Sequence, residues 1–178
     1  MGDVILAANA LLINFQYFLA YALDGIALAA EALTGKAIGS KNNAGFKEAV
    51  WRTLRWSLVF AAGFTGIYYI AGTAIINLQT NIPSVQETAR VYLPWLIASP
   101  LISVWSFFYD GVFAGTTRSR EMRIVMIASV LLVFLPVWYI FRDIGNQALW
   151  LAFMSFMVAR GAAMHAWYRH LLNTNAFL

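Results

Sequence analysis

The chain has 178 residues, 61% of them hydrophobic and only 11% charged, with 12 Lys and Arg against 8 Asp and Glu and no cysteine. A globular domain is about half apolar and about a quarter charged, so this balance, with a mean hydropathy of +0.68, is that of an integral membrane protein. The lack of cysteine excludes disulfides, thiol catalysis and Cys-ligated metal, and a net charge of +4 scattered through loops gives no footprint for nucleic acid.

Five apolar runs follow one another, at 4–33, 56–78, 91–115, 124–141 and 148–167. A membrane helix needs roughly 20 apolar residues, so each run predicts one span and the fold class is all-α. None has the period-two alternation of a transmembrane barrel strand, and an apolar helix satisfies its own backbone in lipid. The first run is not a signal peptide, because Asp3 stands where a basic segment belongs and the run is too long for a signal core.

The basic residues orient these spans. Lys36, Lys41, Lys47, Arg52 and Arg55 follow the first run, Arg118, Arg120 and Arg123 follow the third, and Arg169 follows the fifth; the opposite side carries only Arg90 and Arg142. The positive-inside bias predicts an outside N-terminus and a cytoplasmic C-terminus. A helix that enters from outside after three residues is explained best by a preceding helix, so the chain reads as part of something larger.

Asp24 lies about two-thirds of the way along the first run. A carboxylate at such depth costs roughly 2.5–3.5 kcal/mol on insertion scales, which makes it a functional candidate. Glu31, two turns on, projects from the same face, among the small residues Ala22, Gly25, Ala27, Ala29, Ala30, Ala32 and Gly35 that permit close helix approach. For Glu31 the alternative is an interfacial role or pairing with a loop cation, and for Asp24 a buried pairing with Arg160. In the third run Asp110 follows Tyr109 and several aromatic rings, while Gly111 and Gly115 form a small-xxx-small pair. Asp110 suits a coupling role or a structural one, accepting Arg118 or a helix-end amide. Pro94 and Pro100 favour kinks in this run. Arg160 is the only basic residue within a span, and Asp24, Glu31 and Asp110 are its available partners. His165, toward the end of the last run, reads as an interfacial residue. No cluster at metal-ligand spacing appears, and the aromatic residues fit either interfacial belts or a pocket for flat cations.

Three segments of the first helix, Ala8-Asn9-Ala10, Ala22-Leu23-Asp24-Gly25-Ile26-Ala27 and Glu31-Ala32-Leu33-Thr34-Gly35-Lys36-Ala37-Ile38-Gly39, resemble the eighth helix of multidrug and toxic compound extrusion (MATE) transporters. The similarity is greatest to their DNA-damage-inducible (DinF) branch. Tyr109-Asp110-Gly111-Val112-Phe113-Ala114-Gly115-Thr116-Thr117-Arg118 is similar to the end of the tenth helix. The resemblance covers essentially the whole chain and implies five of twelve helices, numbers eight to twelve, in the second of two lobes that flank a cavity. It implies a multi-pass protein of the bacterial inner membrane. It also implies that helix seven and the first lobe are absent and that the chain is a C-terminal portion, from a truncated gene, a split product or an internal start, whose partner is the missing lobe or a second copy.

The activity implied is antiport, in which inward protons or sodium drive export of organic, usually cationic and lipophilic, compounds. The matching motifs make Asp24, Glu31, Asp110 and Tyr109 candidates for ion coupling or substrate contact. Arg160 is the charge partner, and Gly25, Gly35, Gly39, Gly111 and Gly115 are the packing residues. No cofactor is expected beyond the coupling ion; the expected partners are the bilayer, small organic substrates and the complementary lobe. A principal coupling acid of proton-driven members lies in the first helix of that other lobe, which this chain lacks. A lipid-linked oligosaccharide flippase of the same superfamily and a membrane-embedded enzyme are the alternatives. The first would want a cavity rich in Arg and Lys, the second a His, metal or paired-acid constellation.

Overall fold

A computed structural model describes residues 2–174 and residue 177. The helices are α1 (Asp3–Gly39), α2 (Asn43–Gln79), α3 (Pro83–Gly115), α4 (Ser119–Ser129), α5 (Leu135–Phe141) and α6 (Asn146–Asn173). A π-helical turn, Val130–Phe134, joins α4 to α5, so residues 119–144 make one continuous span. Five helices are thus long and apolar enough to cross a membrane. They run well past the apolar stretches, most of all α2, which starts at Asn43 where hydropathy alone starts a span at Trp56. The extra turns are polar and amphipathic: Asn42 caps α2 through its Oδ1, which accepts from the Gly45 amide at 2.8 Å, and Glu48 pairs with Arg52 one turn on. Such a segment belongs at the headgroup level, which a hydropathy threshold does not register.

The core centres on α3, against which α1, α2 and α6 all pack. Ala27 meets Gly111 and Gly35 meets Gly115, so contacts advance in the same sense along α1 and α3, which run parallel. Trp95 donates to Gln147 at 2.5 Å, and the Ser106 hydroxyl to the Met157 carbonyl at 3.0 Å, giving α6 the same direction. α2 folds back against α1, tied by the Tyr68 hydroxyl on the Phe15 carbonyl at 2.7 Å. The α4–α5 span lies at the periphery against α6, with Leu131, Leu132, Leu135 and Ile140 left exposed, as suits a lipid-facing helix.

α3 runs as one helix through Pro94 and Pro100. Pro100 has no amide to give the Leu96 carbonyl, but the Ser99 hydroxyl supplies a bond to that carbonyl at 2.8 Å. The irregular turn falls in the fourth span instead, just before Pro136, where a missing donor and ring crowding favour a π-bulge.

Of the five glycines expected at helix contacts, three are there. A Cβ on Gly111 would run into the Ala27 carbonyl, one on Gly115 into the Thr34 hydroxyl and the Glu31 carbonyl, and one on Gly35 would lie 3.1 Å from the Gly115 carbonyl. Gly25 and Gly39 are corrected: no atom of another element lies within 4 Å of the Cβ position of either. Both sit on the open side of α1, away from α3.

Candidate ion and substrate site

Three helix faces converge on one column. On α3, Ser103, Phe107 and Asp110 lie at i, i+4 and i+7; on α1, Tyr17, Ala20 and Asp24 lie at i, i+3 and i+7; on α6, Trp150, Phe153, Met157 and Arg160 advance by three or four. The upper members of each series line a cavity of about 390 Å³ between α1, α3 and α6, closed on its fourth side by Phe134 of the π turn. Its walls are mostly apolar and aromatic. Two polar atoms interrupt them: the Gln16 Nε2 and Ser103 Oγ are buried without a hydrogen-bond partner among the described residues. Asn9 closes the outer end, exchanging hydrogen bonds with Asn146 at 2.7 and 3.0 Å while its Oδ1 also accepts from the Trp150 indole at 3.1 Å.

The lower members of the three series are charged. One turn beyond Phe107 and Met157, Arg160 is 9% exposed and forms a hydrogen-bonded ion pair with the Asp110 Oδ2. The other carboxylate oxygen, Asp110 Oδ1, is buried and unpartnered. Asp24 lies on the exposed face of α1, within electrostatic reach of Asp110. It makes no hydrogen bond or ion pair among the described residues. Asp110 is thus paired and Asp24 is not, leaving an excess negative charge at membrane depth. A proton, a metal cation or an organic cation would offset that charge, at a stake of several kcal/mol.

The open assignments of Arg160 and its acids resolve as follows. Its partner is Asp110, so the buried pairing of Asp24 with Arg160 is corrected, as is that of Asp110 with Arg118. Arg118 instead binds Glu121 at 2.8 Å, one turn along α4. Register decides this: Asp110 and Arg160 sit at one level of the parallel α3–α6 pair, whereas Arg118 lies beyond the end of α3. Glu31 is not drawn into the column. Its backbone abuts Gly115, more than a turn past Asp110, and its partly exposed side chain forms no ion pair among the described residues, a loop cation included. Tyr109 also reaches α6, but more than a turn past Arg160, where its hydroxyl meets the His165 Nδ1 at 2.5 Å. His165 is thus engaged by a phenol rather than merely interfacial. Among the described residues no three His, Asp or Glu side chains cluster to hold a metal.

Sequence reasoning missed Gln16, Ser103 and the Asn9–Asn146 pair. Ser103 carried a signal, its i, i+7 relation to Asp110. Asn9 and Asn146 are polar residues near helix starts, where such residues are common, and only the tertiary structure buries them.

The family model MatE matches residues 1–140. The chain belongs to the MatE family. This MatE chain is 39% identical over 184 residues to DNA damage-inducible protein F of Escherichia coli (strain K12), a match that takes in 99% of the chain and 39% of that protein. The chain thus spans about two-fifths of the length of that curated relative. The crystal structure of the eukaryotic MATE transporter AtDTX14 superimposes with a TM-score of 0.81, covering 92% of this MatE chain and 37% of that one at 15% identity, a likeness of fold.

Proposed function

We propose that this chain forms part of a secondary antiporter that exports organic, lipophilic cations in exchange for protons or sodium, and that Asp110, Asp24 and Arg160 are its ion switch. The observation that carries the reading is the buried Asp110–Arg160 ion pair, with a second carboxylate, Asp24, within electrostatic reach of Asp110, directly beneath an aromatic-lined cavity. With both acids ionised, the site holds a net negative charge and favours a cation. When a proton or sodium ion neutralises it, the organic cation loses its electrostatic partner and leaves. Arg160 keeps the empty site from being doubly anionic, which lowers the cost of the ion-free state. Exchange follows because the two cations compete for the same charge.

Family membership and the 39% identity to DNA damage-inducible protein F support this reading, as does the fold shared with AtDTX14, a eukaryotic MATE transporter. Because the chain spans two-fifths of that relative, the working unit is the chain joined to a complementary lobe, in the inner membrane, with its N-terminus outside and its C-terminus in the cytoplasm. The test is efflux of a fluorescent lipophilic cation from cells. Export is expected only when the complementary lobe is supplied, and Asp24→Asn in that complete protein should reduce it to the level of cells without the transporter. Normal export by the Asp24→Asn protein would exclude Asp24 from the switch.

A further inference from the structure

A second cavity opens at the cation-rich end of the bundle, between the start of α2 and the end of α6, with a volume of about 570 Å³. Its rim carries Lys47, Arg169, the carboxamides of Asn43 and Asn173, and the His165 ring; no acidic side chain among the described residues lines it. Neither Lys47 nor Arg169 has an ion-pair partner among the described residues, although the other cations at this end include Arg52 and Arg118, which do. Where the Tyr109 phenol donates to His165 Nδ1, the second ring nitrogen keeps its proton and adds a donor to the rim. Two free cations, three neutral donors and no carboxylate describe an anion site, and its floor of Phe46, Val50 and Leu54 is apolar.

His165 also borders a third depression, of about 470 Å³, that runs along the outer side of the α3–α6 pair past Ala162, Gly161, Trp105 and Val158 to Leu101. From His165 back to Val158 is seven residues, or roughly 10 Å along the helix toward the membrane centre. Gly161 keeps this groove shallow-walled, with its Cβ position 2.9 Å from the Trp105 Cβ. An anion site at the headgroup level that opens into an apolar groove along the bilayer normal has the shape of one molecule, an anionic phospholipid lying head-down on the helix pair. A free phosphate would use the first part alone.

We infer that the α2–α6 cleft binds the phosphate headgroup of an anionic phospholipid through Lys47, Arg169 and His165, with an acyl chain laid along Ala162, Gly161 and Trp105. Neither Asp110 nor Arg160 lines the cleft, and the inference stands independently of the transport reading. Such a lipid would bridge α2 to α6, between which the cleft leaves little direct packing.

The test is native mass spectrometry of the delipidated full chain after addition of dioleoylphosphatidylglycerol or dioleoylphosphatidylcholine. Phosphatidylglycerol is expected to be retained at least ten-fold better. Retention should fall to the phosphatidylcholine level in Lys47→Gln/Arg169→Gln, whose residues are exposed, and stay unchanged in Lys41→Gln, a cation of the same end outside the cleft. Ala162→Phe, which fills the groove from an exposed position, should weaken dioleoyl but not dihexanoyl phosphatidylglycerol. Equal retention of the two lipids, wild-type retention by the double variant, or displacement of the lipid by millimolar inorganic phosphate would overturn the inference.

Discussion

Arg160 leaves water to enter a bundle of apolar helices, and the cost of that move is several kcal/mol unless a carboxylate accompanies it. Asp110 does so, and the resulting pair has opposite consequences for single and double substitution. Asp110→Asn strands a buried guanidinium and should destabilise the chain by about 3–5 kcal/mol, read as a lowered melting temperature from the fluorescence of the seven tryptophans. Asp110→Asn combined with Arg160→Met removes the stranded charge, and most of the lost stability should return. If the single variant melts like the parent, the pair contributes nothing and the ion-switch geometry loses its anchor. That Arg160 needs an acid was legible from the sequence, because it is the lone cation within a span. Which acid it takes was not: the choice among Asp24, Glu31 and Asp110 depends on the register between helices, and no single helix contains that information.

Helix contacts were legible where small residues recur at four-residue spacing, as at Gly111 and Gly115. They were misread at Gly25 and Gly39, which share that composition but face away from α3. A glycine permits close approach without requiring it, so composition marks several faces of α1 and only the fold selects one. The distinction is measurable. Gly111→Ala would place a methyl group on the Ala27 carbonyl, where both sides are backbone and neither can swing aside. Overpacking of this kind costs roughly 1–3 kcal/mol, so Gly111→Ala should melt several degrees below the parent, while Gly25→Ala should match or exceed it because alanine is the better helix former. Equal effects at the two positions would contradict the packing described. The fourth span shows the complementary limit. Pro136 announces an irregularity, but that the helix answers with a π turn, and thereby presents Phe134 to the cavity, depends on the neighbours it packs against.

At the scale of the whole molecule, hydropathy identified five spans and the Lys and Arg asymmetry proposed their direction, two properties carried by sums over many residues and therefore robust to local error. The cavity above Asp110 was not foreseen, because it arises only when α1, α3 and α6 run parallel and bring three spaced faces together. The proposed direction is open to a simple experiment, since a chain without cysteine accepts single reporters directly. In intact cells a membrane-impermeant maleimide should label Asn81→Cys, between α2 and α3, and spare Asn42→Cys, between α1 and α2, until the membrane is permeabilised. The reverse pattern would invert the topology.

The central claim is that competition for the charge of Asp110 and Asp24 couples ion entry to export. Its most direct measurement is uptake of a fluorescent lipophilic cation into inside-out liposomes holding the complete transporter, with an imposed proton or sodium gradient. The wild-type protein should accumulate the dye several-fold faster with one of these gradients than without either. Asp24→Asn, which leaves the Asp110–Arg160 pair intact but without excess charge, should show no acceleration by proton or sodium. Gradient-driven uptake by that variant at the wild-type rate would contradict the account.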